Sequence, residues 1–182
     1  DVITATNVFA HVDDLHGFVD AVDKALADNG VFIIEFPYMR NLIRYNEFDT
    51  IYHEHLSYFL VRPLLTLFSQ HMMQIANLVE FEHIHGGTLR VYVIKDENSS
   101  FPSHTDVVDK FIVLEQEEGL YTLDPYSHLE QNAIKIKEEF VKKVRELKVQ
   151  NKKIAGYGAS AKGNTFINYC HLDKDDIQFI VD

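Results

Sequence analysis

Apolar positions along this chain switch between a strand pattern and a helix pattern. Val2-Ile3-Thr4-Ala5-Thr6 opens as a short strand-like run. Leu15, Phe18, Val19, Val22 and Leu26 then recur at spacings of three and four, which places them on one face of a helix. Asp13 suits the start of that helix. Asn29-Gly30 suits its stop, because glycine tolerates the left-handed turn that follows a helix. Val31-Phe32-Ile33-Ile34-Glu35-Phe36 is a second apolar run, ended by Pro37. Strand, helix and strand in this order predict a βαβ unit and a parallel sheet.

Residues 38–61 show no clear period and are dense in Tyr, His, Asn and Arg. They are expected to be mostly irregular, and a long insertion of this kind in a compact domain tends to be functional. Arg62-Pro63 opens a short helix through about His71, with proline in the tolerated first turn. Residues 74–82 and 88–95 read as antiparallel strands at the edge of the same sheet, joined by His83-Ile84-His85-Gly86-Gly87. A polar break at 96–104 precedes a helix near 105–119. Asp124-Pro125 starts a longer helix with Leu129, Ala133, Ile136, Phe140, Val144 and Leu147 on one face. Residues 152–157 form a strand, followed by a glycine-rich turn, a helix through about Cys170 and a closing strand at 177–182. That is a second βαβ unit. The chain opens and closes on strand-like runs, so it is expected to be a piece of a longer protein cut inside a sheet; the plainer alternative is a chain trimmed close to its fold.

Composition narrows the classes. The 182 residues carry 17 Lys plus Arg against 28 Asp plus Glu, a formal charge of −11. That balance argues against nucleic-acid binding, which calls for a basic surface. No apolar run approaches the ~18 residues of a membrane span, and neither a signal peptide nor a membrane partner is indicated, so a cytoplasmic protein is expected. The single cysteine, Cys170, excludes an internal disulfide framework and a four-cysteine zinc site.

The densest chemistry is Tyr52-His53-Glu54-His55, with Ser57 and Tyr58 just beyond. Imidazole titrates near neutrality, a carboxylate can orient it, and a phenol can donate to an oxyanion developing on a carbonyl. A tyrosine- and histidine-rich surface loop would carry the same residues. His53 and His55 would also share a face on a strand and chelate a metal, although Ser57 stands where the zinc-protease motif needs its second histidine. His11 lies past the carboxyl end of the first strand, where open α/β sheets bind ligands, and His55 follows the next strand. His83, His85, Gly86, Gly87 and Arg90 form a third cluster; a hairpin turn suffices to explain its glycines. Gly156 to Asn164, with Gly158 and Lys162, lies between a strand and a helix. Its spacing departs from both the dinucleotide and the Walker patterns, but a helix N-terminus near Lys162 would suit a phosphate. Arg40, Arg44, Arg90 and Lys162 are available to meet an anionic ligand.

Four ordered motifs together resemble one family: Asn-Val-Phe-Ala-His-Val at 7–12, Tyr-His-Glu-His-Leu-Ser-Tyr-Phe at 52–59, His-Gly-Gly-Thr-Leu-Arg-Val at 85–91 and Gly-Tyr-Gly-Ala-Ser-Ala-Lys-Gly-Asn-Thr at 156–165. They are similar to the nucleotide-sugar C-methyltransferases of branched-chain deoxysugar synthesis. The resemblance implies an α/β protein. Residues 1–95 would be the end of a class I, Rossmann-like methyltransferase sheet. Residues 96–104 would be a linker, and 105–182 the first part of a C-terminal Rossmann-like domain that holds the nucleotide sugar. It implies S-adenosylmethionine (SAM) as cofactor and methylation at C-3 of a nucleotide-linked 4-ketodeoxysugar, by way of an enolate. His55 would be the base, with Tyr52, Glu54 and His11 lining the sugar pocket. Asn7, His85, Arg90, Gly158, Lys162 and Asn164 would contact substrate. The family's cysteine zinc cluster and glycine-rich SAM loop have no counterpart among these residues, and Met72 stands where the family carries glycine. Two other functions are to be weighed: a module that binds a nucleotide sugar without transferring a methyl group, and a histidine-based metal-dependent hydrolase. No metal is expected, and the oligomeric state is left open.

Overall fold

A computed structural model describes residues 1–84 and 86–182. β1 (Val2–Thr6), α1 (Leu15–Ala25) and β2 (Val31–Pro37) form the expected parallel unit, with Val2 opposite Val31. β3 (Met73–Phe81) and β4 (Thr88–Lys95) are antiparallel, and β4 lies between β2 and β3, so the sheet order is β1-β2-β4-β3. Phe32, Ile34 and Phe36 point to one face of this sheet, where they join Phe9, Val19, Leu64 and Phe68 in the main core. Phe9 is fully buried, with the Phe59 ring 5.0 Å away and the Phe18 ring edge-on at 5.7 Å.

The residues between β2 and β3 are more regular than their composition suggests. They form α2 (Met39–Tyr45), a 3-10 turn at Phe48–Thr50 and α3 (Val61–Ser69). The helix α2 is hidden from pattern reading because Arg40 and Asn41 are buried beside Leu42. Polar residues on a buried face erase the amphipathic period. They are satisfied from outside the helix: Arg40 Nε bonds Glu118 Oε2 at 2.8 Å, and Asn41 Nδ2 donates to Glu80 Oε1 at 2.8 Å. Two local expectations shift by small amounts. Asp14, not Asp13, caps α1 by accepting from Gly17 N, and the helix ends at Ala25, ahead of the Asn29-Gly30 turn.

α4 (Thr105–Glu117) packs on this same sheet, and Val108 and Leu120 belong to its core. Glu115 in its last turn is fully buried. Its Oε1 accepts from Tyr38 Oη and from Val61 N, each at 2.7 Å, and its Oε2 accepts from Tyr121. One carboxyl thus caps α3 and ties the end of β2 to α4. The 96–104 break is also docked: Asn98 Nδ2 donates to Gly30 O at 3.0 Å, and Phe101 stacks on Tyr92. Packing therefore runs across the expected linker and includes α4 and Leu120 beyond it.

α5 (Asp124–Val149), β5 (Ala155–Tyr157), α6 (Ala161–Tyr169) and β6 (Phe179–Val181) make the second unit, with β5 and β6 parallel. Its core is small and centres on Val144, Cys170 and Leu172. The two units meet where α6 packs against the 3-10 turn at Phe48–Thr50.

Candidate active site

His11 and His55 come together. The chain leaves β1 through Asn7, whose φ of 54° and N–H bond to Glu35 O turn it into the 3-10 turn Phe9–His11. The amides of Leu56 and Ser57 both donate to Ala10 O, at 2.9 and 3.2 Å, and so hang the 52–58 loop on that turn. The His11 and His55 rings end 4.9 Å apart. Both lie beyond the carboxyl end of the parallel pair β1–β2, the side where open α/β sheets bind ligands.

The hydrogen bonds of His55 define its tautomer. Nδ1 lies 2.9 Å from Thr50 O. A carbonyl only accepts, so Nδ1 carries hydrogen, and the neutral ring leaves its lone pair on Nε2. Tyr52 Oη is 3.3 Å from that nitrogen, and its ring lies 4.4 Å from the imidazole. Burial, reinforced by the Glu54 charge, raises the Tyr52 phenol above its ordinary range, so it remains a donor at neutral pH. Tyr58 Oη donates to the same Thr50 carbonyl at 3.3 Å, and burial raises its pKa too. A half-buried imidazole with its lone pair on Nε2, beside a neutral phenol, can take a proton from carbon once the phenol turns from that nitrogen to the oxyanion that results.

The other expected residues are less concentrated. Glu54 is turned away: its side chain is 60% exposed and faces His53 at 4.0 Å. The group that orients His55 is the Thr50 carbonyl instead. Arg90 is ion-paired with Glu35 and lies over the Phe81 ring at 4.7 Å. His85 lies outside the described residues. Gly86 and Gly87 adopt φ of 79° and 116°, as a hairpin turn requires, and a side chain on either would collide with Glu47 or Asn41. Gly158, Lys162 and Asn164 sit at the start of α6, capped by Ser160 Oγ, which accepts from Gly163 N at 3.2 Å. Lys162 is near enough to Glu47 for its charge to lower that carboxyl's pKa, against a larger upward push from burial. A concavity of about 880 Å³ lies elsewhere, between α5 and the turn at Cys170 to Leu172, and holds none of the site histidines.

The family described as "C-methyltransferase C-terminal domain" matches residues 83–182, and the one described as "Methyltransferase domain" matches residues 1–71. This chain belongs to the C-methyltransferase family. "C-methyltransferase NovU" of Streptomyces niveus is 31% identical over 179 residues, which cover 96% of this chain and 41% of NovU. The chain thus spans about two fifths of the length of that curated relative.

Family membership poses a question about the cofactor. A methyltransferase of this class implies a methyl donor cradled on a glycine-rich loop. After β1 the described chain runs Asn7 to Leu15 without glycine, and after β2 it enters α2 directly. The cradle expected for SAM is therefore not formed by the described residues of this sheet. Among the described residues, no group of three or more His, Cys, Asp or Glu gathers to hold a metal, and no helix is long and apolar enough to cross a membrane. Sequence reasoning missed Thr50, Asn41 and Glu47. Thr50 acts through its backbone carbonyl, which every residue type possesses, so no side-chain signal marks it. Asn41 and Glu47 are recognisable only once Gly86 and Gly87 are seen to close over them.

Proposed function

We propose that this chain is the proton-abstracting part of a SAM-dependent C-methyltransferase acting at C-3 of a nucleotide-linked 4-ketodeoxysugar. The observation that carries the reading is the Thr50–His55–Tyr52 arrangement, with His11 facing the same imidazole. Hydrogen on a carbon alpha to a ketone is acidic, because the electron pair left behind moves onto oxygen as an enolate. In this reading His55 Nε2 takes that proton, the C–H bond breaks, and Tyr52 donates a hydrogen bond to the enolate oxygen. His11, whose ring lies 4.9 Å from that of His55, contacts the sugar. SAM supplies the methyl group in this family, and no step is assigned to it within this chain. Lys162, Asn164 and Gly158 at the α6 N-terminus, with Arg90 and Asn7, are the groups assigned to the nucleotide sugar. The Tyr-His-Glu-His segment supports a base better than a metal site, because His53 is 90% exposed and faces Glu54 at 4.0 Å, whereas the His55 ring meets Thr50 O and Tyr52 Oη.

Incubating the full-length parent with its keto-sugar in deuterated water tests the base. C-3 hydrogen should exchange, and His55→Ala should reduce the rate by about 10² to 10⁴-fold, the contribution expected of a general base. Undiminished exchange in the variant would falsify the assignment. Calorimetry with the nucleotide sugar and with SAM separates methyl transfer from a purely binding role.

A further inference from the structure

We propose that Phe48, held between Phe166 and Tyr169 of α6, is a positioning residue for His55, so that the second unit sets the orientation of the base. The proposal rests on the reading of His55 given above. His55 is held at two places that belong to different parts of the molecule. Its backbone neighbourhood hangs on Ala10 O, beneath the first sheet, whereas its ring is aimed by Thr50 O. Thr50 closes a single 3-10 turn that begins at Phe48. The amide of Thr50 bonds Glu47 O and that of Ile51 bonds Phe48 O, both at 3.0 Å. A turn this short transmits a displacement of Phe48 to the Thr50 carbonyl with little room for absorption.

Phe48 itself is fixed by the second unit. Its ring centroid lies 5.2 Å from Tyr169 and 6.0 Å from Phe166. Phe166 is braced edge-on by Phe140 of α5 at 4.9 Å, and the Lys137 ammonium lies over the Tyr169 ring at 4.9 Å. A second tie lies two residues before Phe48, where Asn132 Nδ2 of α5 donates to Asn46 Oδ1 at 2.9 Å. On the Thr50 side, the buried hydroxyl has no hydrogen-bond partner among the described residues, and the carbonyl is met by His55 Nδ1 and Tyr58 Oη of the same loop. The contacts that tie this turn to the second unit are those of Phe48 and Asn46. A base is sensitive to such a support, since displacement of a reacting group by 1 Å can cost about 10²-fold in rate.

The test uses Phe48→Ala, Phe48→Trp and, from the α6 side, Tyr169→Leu in the full-length parent. Phe48→Ala and Tyr169→Leu should lower kcat for C-3 hydrogen exchange roughly 10- to 100-fold with a small change in KM, and Phe48→Trp should recover most of it. Nitrogen-15 NMR of the His55 ring gives a readout independent of turnover: a single Nδ1–H tautomer in the parent should become a mixture in Phe48→Ala. If Phe48→Ala does not fold, Tyr169→Leu carries both measurements. Unchanged kcat and an unchanged tautomer in a folded variant overturn the proposal. Should His55→Ala retain exchange, the base reading fails, and the tautomer measurement still decides whether Phe48 orients the ring.

Discussion

In the first sheet, β2 buries four of its seven residues, and its apolar side meets a continuous core of aromatic rings. In the second, β6 buries none of its three residues, and Tyr157 of β5 is 91% exposed. Both are parallel pairs from βαβ units, and parallel strands ordinarily have both faces covered. The difference shows which region carries the molecule's rigidity. The paired histidines are attached to the well-buried unit, whereas the α6 turn assigned to the nucleotide sugar sits on the sparsely packed one. The boundary between the two is bridged by Phe48, two residues before Thr50, whose carbonyl meets His55.

Hydrogen exchange puts this contrast to its hardest test. Amides of β2 and β4 should open only with global unfolding, whereas those of β5 and β6 should exchange faster by ~10³-fold, equivalent to about 4 kcal/mol. Equal protection in the two sheets would end the distinction. The next largest effect belongs to Glu115. Replacing it with Ala leaves the Tyr38 and Tyr121 phenols and the Val61 amide without their acceptor, which should cost roughly 3 kcal/mol or more. Denaturant melts should register the loss in the first unit, and a change below about 1 kcal/mol would show that Glu115 is dispensable.

The same cluster predicts a pH dependence. Burial, followed by the Glu115 charge at Tyr38 and the Glu115 hydrogen bond at Tyr121, raises both phenols far above their ordinary value of 10. Both keep their protons in the folded state where the unfolded chain has begun to lose them. Stability is thus fully present below about pH 10 and falls as pH rises beyond it, by at most about 1.4 kcal/mol per pH unit per tyrosine. Urea midpoints at pH 9 and pH 11 measure it, and a flat response would contradict the buried phenol pair.

The smallest effect concerns Met72. It adopts a φ of 54° while 73% exposed, the conformation for which glycine is suited. Met72→Gly should stabilise the chain by about 1 kcal/mol, seen as a higher melting temperature. This strain was legible in advance, because the family resemblance placed a glycine there.

Legibility elsewhere followed the same logic of local against distant causes. The periods of α1, β2, β3, β4 and α5 are set by which residues face a core, and spacing alone reveals them. α2 escaped because Arg40 and Asn41 are buried by partners 39 or more residues away, Glu118 and Glu80, which no local window contains. His11 and His55 were legible as neighbours through strand order. The orienting role expected of Glu54 was not met, because proximity in sequence placed it beside His53 while the loop turned His55 toward a backbone carbonyl. The docking of α4 on the first sheet was likewise invisible, since it depends on one buried carboxyl reaching three separate elements.

The central claim is that the neutral His55 ring keeps its lone pair on Nε2 because Thr50 O holds hydrogen on Nδ1. Nitrogen-15 NMR of the imidazole rings at pH 8 measures this directly. The account predicts that neutral His55 is the Nδ1–H tautomer, with Nε2 showing the shift of a bare, hydrogen-bond-accepting nitrogen. A neutral ring protonated on Nε2 instead would contradict it.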